Sequence, residues 1–439
     1  MFSDSWKILA SLSDQVKSSI RLAIVFNGGG SAIFATKDDE VFGLGQNDFW
    51  CLGTGEDSSP GLGEPQRINA LCGQKIEGLE YSQRFSVFAI SDSGSVFAWG
   101  ANGCGQLGLG TNRQTNIPTK ITGKLEEQTV VQVACGEIHT LALTSDGQVF
   151  AFGYNSYGQL GLGVEGNFLM SSLFPRKVEG LLAGSFVTAI ACRRNGSLAL
   201  LKTGEVFIWG AQIDDTFITF PLQVLGLEGV PISRISCGSN HFLALSNDRK
   251  IYAWGNNCSG QLGIESADEP KATAEIIPAS LGRVKEIAAF ANSSAALTES
   301  NQVYVWGQYN GQNITSPTVT SHSSFDNVFA PDTFRPLRPK EDYSEELKMK
   351  DTLDECLKRA FNNPDISDFT FIVEENKIHV HKCILMLRCA VFKTMFQGDW
   401  KESKASEQKI EGHSFAAFNA FLKYFYTDKL DVHPNLALG

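Results

Sequence analysis

The sequence predicts a mainly β protein, with a β-propeller of six marked repeats followed by a smaller α/β domain. A phrase of strand-forming residues and a glycine-rich loop, VFAWGANGCGQLGLGT at 96–111, returns at 149–164 and 251–266. Weaker copies begin at residues 41, 206 and 303. Such repetition indicates an array of like units. A change of composition after residue 313 predicts the second domain.

The copies recur at the spacing expected of propeller blades. The glycine of each aromatic strand falls at Gly43, Gly100, Gly153, Gly210, Gly255 and Gly307. The intervals are 57, 53, 57, 45 and 52 residues, and periods near fifty indicate a propeller or solenoid. Six marked hairpins favour six blades. A seventh would have to come from unmarked sequence at the ends of the region, so six or seven blades remain open.

One unit can be followed through LALTSDGQVFAFGYNSYGQLGLG at 141–163. An apolar strand, a Ser-Asp-Gly turn and a return strand form a hairpin, and the glycine loop follows. A single blade leaves an apolar face in water, so neighbouring blades must stack. We expect the aromatic side chains before each glycine to pack between blades and the glycines to adopt positive φ. These aromatic residues are Trp99, Phe152, Trp209, Trp254 and Trp306.

The first full copy also contains the spacing G-x-G-x-x-G, at Gly103, Gly105 and Gly108. A dinucleotide site with this motif needs a helix that begins inside it. The residues that follow are polar and include Pro118, which indicates a loop. A chain has little use for six cofactor loops, so we interpret the repeat as architecture and predict no cofactor.

Composition excludes several classes of protein. The 439-residue chain has a net charge of −11 and a pI near 5.2, which argue against direct binding to nucleic acid. No secretory signal is found at the start, and no apolar stretch is long enough for a membrane span. The ten cysteines are scattered without paired spacing. They predict reduced thiols in a cytoplasmic or nuclear protein.

Two copies carry a cysteine and a histidine four residues apart, Cys135 with His139 and Cys237 with His241. A third copy keeps Cys192 but has no histidine at the matching position. Two ligands are too few for a closed zinc site, and matching positions in successive blades lie around an axis. We therefore predict small buried cysteines and polar histidines at blade edges, with no metal.

A different pattern begins after the Ser-, Thr- and Pro-rich segment at 313–350. Within that segment, NVFA at 327–330 is predicted as a strand and the rest as linker. LDECLKRAF (353–361) predicts a helix, FTFIV (369–373) and KIHVH (377–381) two strands, and residues 383–396 a helix. A last helix is predicted within residues 411–430, where Phe415, Phe418, Leu422 and Phe425 recur at three- and four-residue steps.

The repeat unit, CGEIHTLALTSDGQVFAFGYNSYGQLGLG, resembles the repeat of the regulator of chromosome condensation, a β-propeller family. The resemblance covers roughly residues 21–330. The founding member has seven blades and promotes nucleotide exchange on a small GTPase. The family therefore implies a guanine-nucleotide exchange factor or a chromatin-associated regulator as alternative functions. In the family, exchange depends on an inserted wedge. The repeat intervals here show no long insertion, so a GTPase partner is disfavoured.

Residues 351–439 resemble the BTB/POZ domain. Asp368, His381-Lys382, Phe392, Met395-Phe396 and FLKYFYTDKL carry this match. The resemblance implies a domain that often dimerises, with a charged pair of Asp368 and Lys382 at the dimer interface. Some BTB proteins recruit cullin scaffolds of ubiquitin ligases through an apolar-x-Glu motif and a tyrosine. Trp400-Lys401-Glu402 and Tyr426 match these features. The family domain continues with further helices, so we expect the domain here to be incomplete at its C-terminus.

Together these observations predict four segments: an N-terminal helical segment (1–20), the propeller (21–330), a linker (331–350) and the BTB/POZ domain (351–439). No catalytic nucleophile, carboxylate pair or metal cluster stands out, so no enzyme is predicted. The predicted function is a noncatalytic adaptor. Its propeller binds a protein client, and its BTB domain dimerises and can recruit a cullin.

Overall fold

The chain divides into two compact units, residues 1–339 and residues 340–439. The structure is a computed structural model that describes residues 6–55, 61–163, 170–213, 216–264, 270–277, 281–322, 324–329, 335–337, 361–364, 367–396, 405–410 and 412–427. None of the helices in this part of the chain combines the length and hydrophobicity that crossing a bilayer requires.

Six antiparallel sheets, the blades, make up the first unit. Blade 1 contains β1 (Ile20–Phe26), β2 (Ser31–Thr36), β3 (Val41–Gly45) and β4 (Leu62–Arg67). Blade 2 contains β5 (Ile76–Tyr81), β6 (Ser86–Ser91), β7 (Val96–Gly100) and β8 (Thr115–Lys120). Blade 3 contains β9 (Val130–Cys135), β10 (His139–Thr144), β11 (Val149–Tyr154) and β12 (Ser171–Lys177).

Blades 4 to 6 repeat this order. Blade 4 contains β13 (Val187–Arg193), β14 (Gly196–Leu201), β15 (Val206–Ala211) and β16 (Phe217–Gln223). Blade 5 contains β17 (Ile232–Cys237), β18 (His241–Ser246), β19 (Ile251–Gly255) and β20 (Lys271–Ile276). Blade 6 contains β21 (Val284–Phe290), β22 (Ser293–Thr298), β23 (Val303–Tyr309) and β24 (Gln312–Val319). The predicted mainly β propeller is confirmed.

Except in blade 2, where β7 is buried at every residue, the second strand of each blade has the most completely buried sequence. Strands β2, β10, β14 and β18 are buried at every residue, because both faces of a blade pack against apolar neighbours. The fourth strands lie at the outer edge and are largely exposed, as TNIPTK in β8 illustrates. Burial therefore falls from the second strand towards the rim, which leaves rim and loop side chains available to partners.

The predicted aromatic residues do pack between blades. Trp99 lies in the apolar cluster shared by blades 1 and 2, and Phe152 in the cluster shared by blades 2 and 3. Trp209, Trp254 and Trp306 occupy the next three interfaces. Five interfaces thus repeat one packing scheme, and the prediction that these residues wedge neighbouring blades together is confirmed.

A glycine at or near the end of each third strand has positive φ. The angles lie between +86° and +112° at Gly45, Gly100, Gly153, Gly210, Gly255 and Gly307. At Gly100 a Cβ atom would lie 2.1 Å from the carbonyl oxygen of Phe85, so both the turn and the close approach require glycine. In blade 1 the structural equivalent is Gly45, which pairs with Ser31 as Gly100 pairs with Ser86. The assignment to Gly43 was wrong.

Segments outside the blade repeats cover the faces of blades 1 and 6. Helices α1 (Lys7–Ala10) and α2 (Asp14–Ser19) precede blade 1, and Trp6, Leu9 and Leu12 pack on it. Helix α3 (Phe325–Phe329) packs on blade 6. The predicted strand at NVFA is therefore wrong. Phe325, Val328 and Phe329 are buried at helical spacing.

One further strand falls within the predicted linker. Strand β25 (Arg335–Leu337) pairs antiparallel with β1, with Ala23 opposite Leu337. The first blade thereby gains a fifth strand, formed by residues that follow blade 6 in the sequence. The polar, Pro-containing sequence around it carries little strand signal, because this strand is specified by its partner.

The second unit has a three-stranded sheet and three helices in its described part. Strands β26 (Phe369–Val373) and β27 (Asn376–Val380) form a hairpin, and β28 (Glu407–Ile410) pairs parallel with β26. The predicted helix at 383–396 is two helices, α4 (Lys382–Arg388) and α5 (Ala390–Phe396). They are separated at Cys389, whose backbone is extended. The last helix is α6 (Phe415–Thr427). Apart from Phe361, the helix predicted at 353–361 lies outside the described residues.

Candidate functional site

A cavity of about 310 Å³ lies at the centre of the propeller. The first strands of blades 2 to 6 line it, through residues 80–81, 132–137, 190–194, 235–239 and 289–291. The turns between strands 1 and 2 surround one end of the cavity, which we call the channel mouth. These turns comprise residues 82–85, 136–138, 194–195, 238–240 and 291–292. Five blades therefore present short turns around one opening.

A hydrogen bond crosses the channel mouth. Nε2 of Gln83, in blade 2, donates to Oγ of Ser239, in blade 5, at 3.2 Å. Deeper in the cavity, the Gln132 side chain joins β9 to β13. Its Nε2 donates to the Ile190 carbonyl at 2.8 Å, and its Oε1 accepts from the Ile190 N–H at 3.1 Å. These bonds join blade 2 to blade 5 at the mouth and blade 3 to blade 4 deeper in the cavity.

Three adjacent turns are joined by a charged triad at the channel mouth. The Glu137 carboxylate, in blade 3, lies 2.7 Å from Nη2 of Arg84 in blade 2 and 2.6 Å from Nε of Arg194 in blade 4. Arg84 Nε also donates to it at 2.8 Å. Burial opposes ionisation of Glu137, but the hydrogen bonds and charges of Arg194 and Arg84 outweigh it, so its pKa is lowered.

The two arginines of the triad remain available at the surface. Both side chains are more than half exposed, while Glu137 is mostly buried. A guanidinium has five donors in a planar fork, so each arginine can keep its bond to Glu137 and still donate to a partner. The triad thus presents two oriented cations on a surface built from three blades.

The cysteine–histidine pairs are structural. His139 and His241 are fully buried rather than placed at polar blade edges. Nε2 of His139 lies 3.0 Å from Oγ of Ser197, which itself donates to the Gln159 carbonyl. Because the serine gives its proton to the carbonyl, Nε2 must be the protonated nitrogen. Burial lowers the pKa of each histidine to about 3, so both are neutral near pH 7.

Blade 4 replaces this pattern with a reciprocal one. Where blade 3 has Gly136 and His139, blade 4 has Arg193 and Gly196. The His139 ring occupies the space beside Gly136, and the Arg193 side chain occupies the space beside Gly196. The Arg193 guanidinium lies 4.9 Å from the centre of the Phe242 ring in blade 5. A cation–π contact there replaces the histidine–serine bond.

The thiols that line the cavity are not reactive sites. Cys135, Cys192 and Cys237 are partly buried rather than fully buried as predicted. Desolvation raises the pKa of each thiol, so these thiols stay protonated near pH 7. Within the described ranges, no group of three or more His, Cys, Asp or Glu side chains has the geometry to hold a metal ion.

In the second unit, Asp368 and Lys382 lie close together. Asp368 Oδ1 accepts from the backbone N–H of Lys382 at 2.7 Å, and so caps the start of α4. The Lys382 ammonium donates to the Ala405 carbonyl at 2.8 Å and lies 5.1 Å from the centre of the Phe369 ring. Both residues thus have roles within the unit, and their predicted place at a dimer interface stays a prediction.

The predicted cullin residues are only partly visible. Trp400 and Glu402 lie outside the described residues. Tyr426, on α6, is 1% exposed, and its hydroxyl accepts from the backbone N–H of His381 at 2.7 Å. Tyr426 therefore holds the turn before α4 in place. Its contact with a cullin stays a prediction.

Sequence reasoning missed the triad. Arg84, Glu137 and Arg194 lie in short turns of different repeats and share no local motif. Aligning the turns between first and second strands would have found the signal, because those of blades 2, 3 and 4 alone among the described blades carry a charged residue. Strand β28 was missed too, because four residues reading EQKI have a weak strand pattern.

Comparison with protein families supports both parts of the architecture. The regulator of chromosome condensation (RCC1) repeat matches residues 93–143 and 146–200, and a second model of this repeat matches 130–159 and 232–261. The BTB/POZ domain matches residues 357–438. The chain therefore contains RCC1 repeats followed by a BTB/POZ domain.

The RCC1 part of the chain is similar to curated proteins with varied names. It is 31% identical over 283 residues to the ultraviolet-B receptor UVR8 of Arabidopsis thaliana. This aligned segment covers 62% of this chain and 62% of UVR8. It is also 35% identical over 254 residues to the human E3 ubiquitin-protein ligase HERC2. That aligned segment covers 56% of this chain and 5% of HERC2. The chain spans less than two thirds of either relative.

Two solved structures share the RCC1-type propeller. Human WBSCR16 matches with a TM-score of 0.54 and 26% identity, over 62% of this chain and 70% of that chain. Prp20p of Saccharomyces cerevisiae matches with a TM-score of 0.57 and 23% identity, over 67% of this chain and 75% of that chain. The likeness to Prp20p shows the fold alone.

Proposed function

We propose that this protein is a noncatalytic adaptor whose channel mouth binds a protein client and whose BTB/POZ domain forms dimers and recruits a cullin scaffold. We further propose that it acts in the cytoplasm, the nucleus or both. RCC1 repeats together with a BTB/POZ domain support a role in protein interaction. The similarity of the propeller to proteins named E3 ubiquitin-protein ligases supports a link to ubiquitin transfer.

The observation that carries the proposal is the Arg84–Glu137–Arg194 triad. Arginine is enriched at the energetic centres of protein interfaces, and a fixed side chain loses less conformational entropy when it binds. Glu137 fixes both guanidinium groups in advance and leaves them exposed. The proposed client therefore presents carboxylate or carbonyl acceptors to the channel mouth.

Crosslinking of the full chain in cells tests the client site. Reversing the mouth charges with Arg84→Glu and Arg194→Glu should remove the main crosslinked client. The chain offers a matched control in a second triad, where Glu299 lies near Arg249 and Arg283. This triad is at the end of the blades away from the mouth. Arg249→Glu with Arg283→Glu should leave the client in place. Loss of the client in the control variant alone would refute the mouth as its site.

The BTB/POZ part of the proposal has its own test. Capture of a purified cullin by the full chain should fall with Trp400→Ala and Glu402→Ala. Unchanged recovery would remove both residues from the proposal. Mixing the full chain with nucleotide-loaded small GTPases tests the alternative function, and accelerated nucleotide release would establish an exchange factor instead of an adaptor.

A further inference from the structure

The outer edge of the propeller carries a second candidate surface. In every blade, one residue after the fourth strand donates its N–H to the carbonyl of the first residue of the third strand. These residues are Ile68, Ile121, Val178, Val224, Ile277 and Thr320. This shared bond puts the six outer strands in one register, so that equivalent positions can be compared.

We count back four residues from the residue that donates this shared bond. At that position, three consecutive blades expose an apolar side chain. Ile117 of blade 2 is 49% exposed, Phe174 of blade 3 is 60% exposed and Phe220 of blade 4 is 47% exposed. The equivalent residues in blades 1, 5 and 6 are Glu64, Thr273 and Ser316. The apolar positions therefore form one continuous sector rather than a feature of every blade.

Further exposed apolar side chains lie in the same sector. Met170 and Phe217 lie at the channel-mouth end of the outer strands of blades 3 and 4, and Tyr157 lies in the glycine loop of blade 3. That loop rests on blade 4, because Gly158 packs against the backbone of Thr219. Large exposed apolar patches on soluble proteins mark interaction sites.

The charge of this sector is one-sided. Strands β8, β12 and β16 contain Lys120, Arg176 and Lys177 and no acidic residue, and all three cations are exposed. The outer strands of blades 1 and 5 contain Glu64 and Glu275. In a chain with a net charge of −11, three outer strands whose only charged residues are basic favour an acidic partner.

The backbone of the sector indicates how a partner is held. Pro118, Pro175 and Pro221 interrupt the three edge strands. Proline removes a hydrogen-bond donor, so adding a partner strand to these edges is unfavourable. Recognition then depends on side chains, as when an amphipathic helix lays its apolar face on an apolar surface.

We propose that Ile117, Phe174 and Phe220, flanked by Lys120, Arg176 and Lys177, bind an acidic amphipathic helix of a partner protein. This rim site is separate from the channel mouth, so it allows the propeller to hold a second partner beside its client.

The test is a binding titration of the full chain with a fluorescein-labelled synthetic peptide. The peptide carries Leu and Phe at i, i+3, i+4 and i+7 and Glu elsewhere. We expect saturable binding that Phe174→Ser with Phe220→Ser weakens at least about tenfold. Because Phe174 also packs against Gly110, a second variant, Arg176→Glu with Lys177→Glu, changes charge only and should weaken binding as well.

A matched control is present on the other half of the rim. Ile276 and Val319 are 46% and 52% exposed on the outer strands of blades 5 and 6, and Ile276→Ser with Val319→Ser should leave binding unchanged. No binding of the acidic peptide, or equal binding of its Lys-substituted form, would overturn the proposal. Binding to phosphatidylserine-containing vesicles in place of the peptide would also overturn it, in favour of a membrane surface.

Discussion

Nε2 of His139 in blade 3 lies 3.0 Å from Oγ of Ser197 in blade 4, and the pair recurs at 2.7 Å between His241 and Ser294 in blades 5 and 6. In both pairs the serine donates onward to a glutamine carbonyl of the histidine's own blade, Gln159 or Gln261. Two blade interfaces therefore contain the same buried chain of hydrogen bonds, from histidine to serine to a backbone carbonyl, inside an apolar contact. We call this chain the latch. The latch depends on a neutral imidazole.

The latch makes the stability of the propeller depend on pH. Burial lowers the pKa of both histidines from 6.5 to about 3, so the unfolded chain binds protons first as the pH falls. The stabilisation is complete above about pH 6.5 and declines below it, by up to about 1.4 kcal/mol per pH unit for each histidine. Chemical denaturation between pH 7 and 4.5 checks this. His139→Asn with His241→Asn should flatten the dependence, and an unchanged slope would contradict it.

Gly136 is hard to replace because the His139 ring fills the space beside it. A Cβ atom at this position would lie 2.1 Å from Cε1 of His139, so Gly136→Ala should lower the free energy of unfolding by about 1–3 kcal/mol. Gly136→Arg with His139→Gly copies the arrangement of blade 4 and should be more stable than Gly136→Arg alone. Thermal denaturation of the variants measures both effects. If the double variant loses as much stability as the two single variants together, the second change does not compensate for the first.

The indole N–H groups at the blade interfaces provide a matched comparison. Trp209 Nε1 donates to the Gln159 carbonyl at 2.9 Å, whereas Trp254 Nε1 has no partner among the described residues. Replacing either with Phe removes similar volume. Trp209→Phe should therefore cost about 1 kcal/mol more than Trp254→Phe, the value of a typical hydrogen bond. Equal losses in urea denaturation would indicate that the bond contributes nothing net.

Tyr426 provides a test in the BTB/POZ domain. Removing its hydroxyl leaves the N–H of His381 without its 2.7 Å acceptor, so Tyr426→Phe should destabilise the domain by about 1–3 kcal/mol. Tyr424, on the same helix, is partly exposed, and Tyr424→Phe is the control. Hydrogen exchange at the start of α4 should rise in the first variant alone. Faster exchange in both variants would point to loss of helix α6 as a whole.

The arrangement of strands in each blade could be predicted because the local sequence of each repeat specifies it. Trp99 and Gly100 appear in sequence as a strand end and a required positive φ, and both were placed correctly. Helix α3 and strand β25 could not be predicted in this way. Phe325 and Val328 become helical because they pack on blade 6, and residues 335–337 form a strand because β1 is available to pair with them.

The candidate site was harder to predict than the fold. Arg84 and Arg194 lie 110 positions apart in the sequence and meet only through Glu137, since adjacent turns converge at the channel mouth. The BTB/POZ residues Asp368 and Tyr426 were found from the resemblance. Their hydrogen bonds within the unit came only from the structure.

Sequential capture tests the adaptor claim most directly. Complexes of the full chain are first recovered through the cullin, then eluted and examined for the crosslinked client. We predict that wild type carries both partners in one complex. Arg84→Glu with Arg194→Glu should lose only the client, and Trp400→Ala with Glu402→Ala should lose only the cullin. Client and cullin found always in separate complexes, or lost together in either variant, would contradict the account.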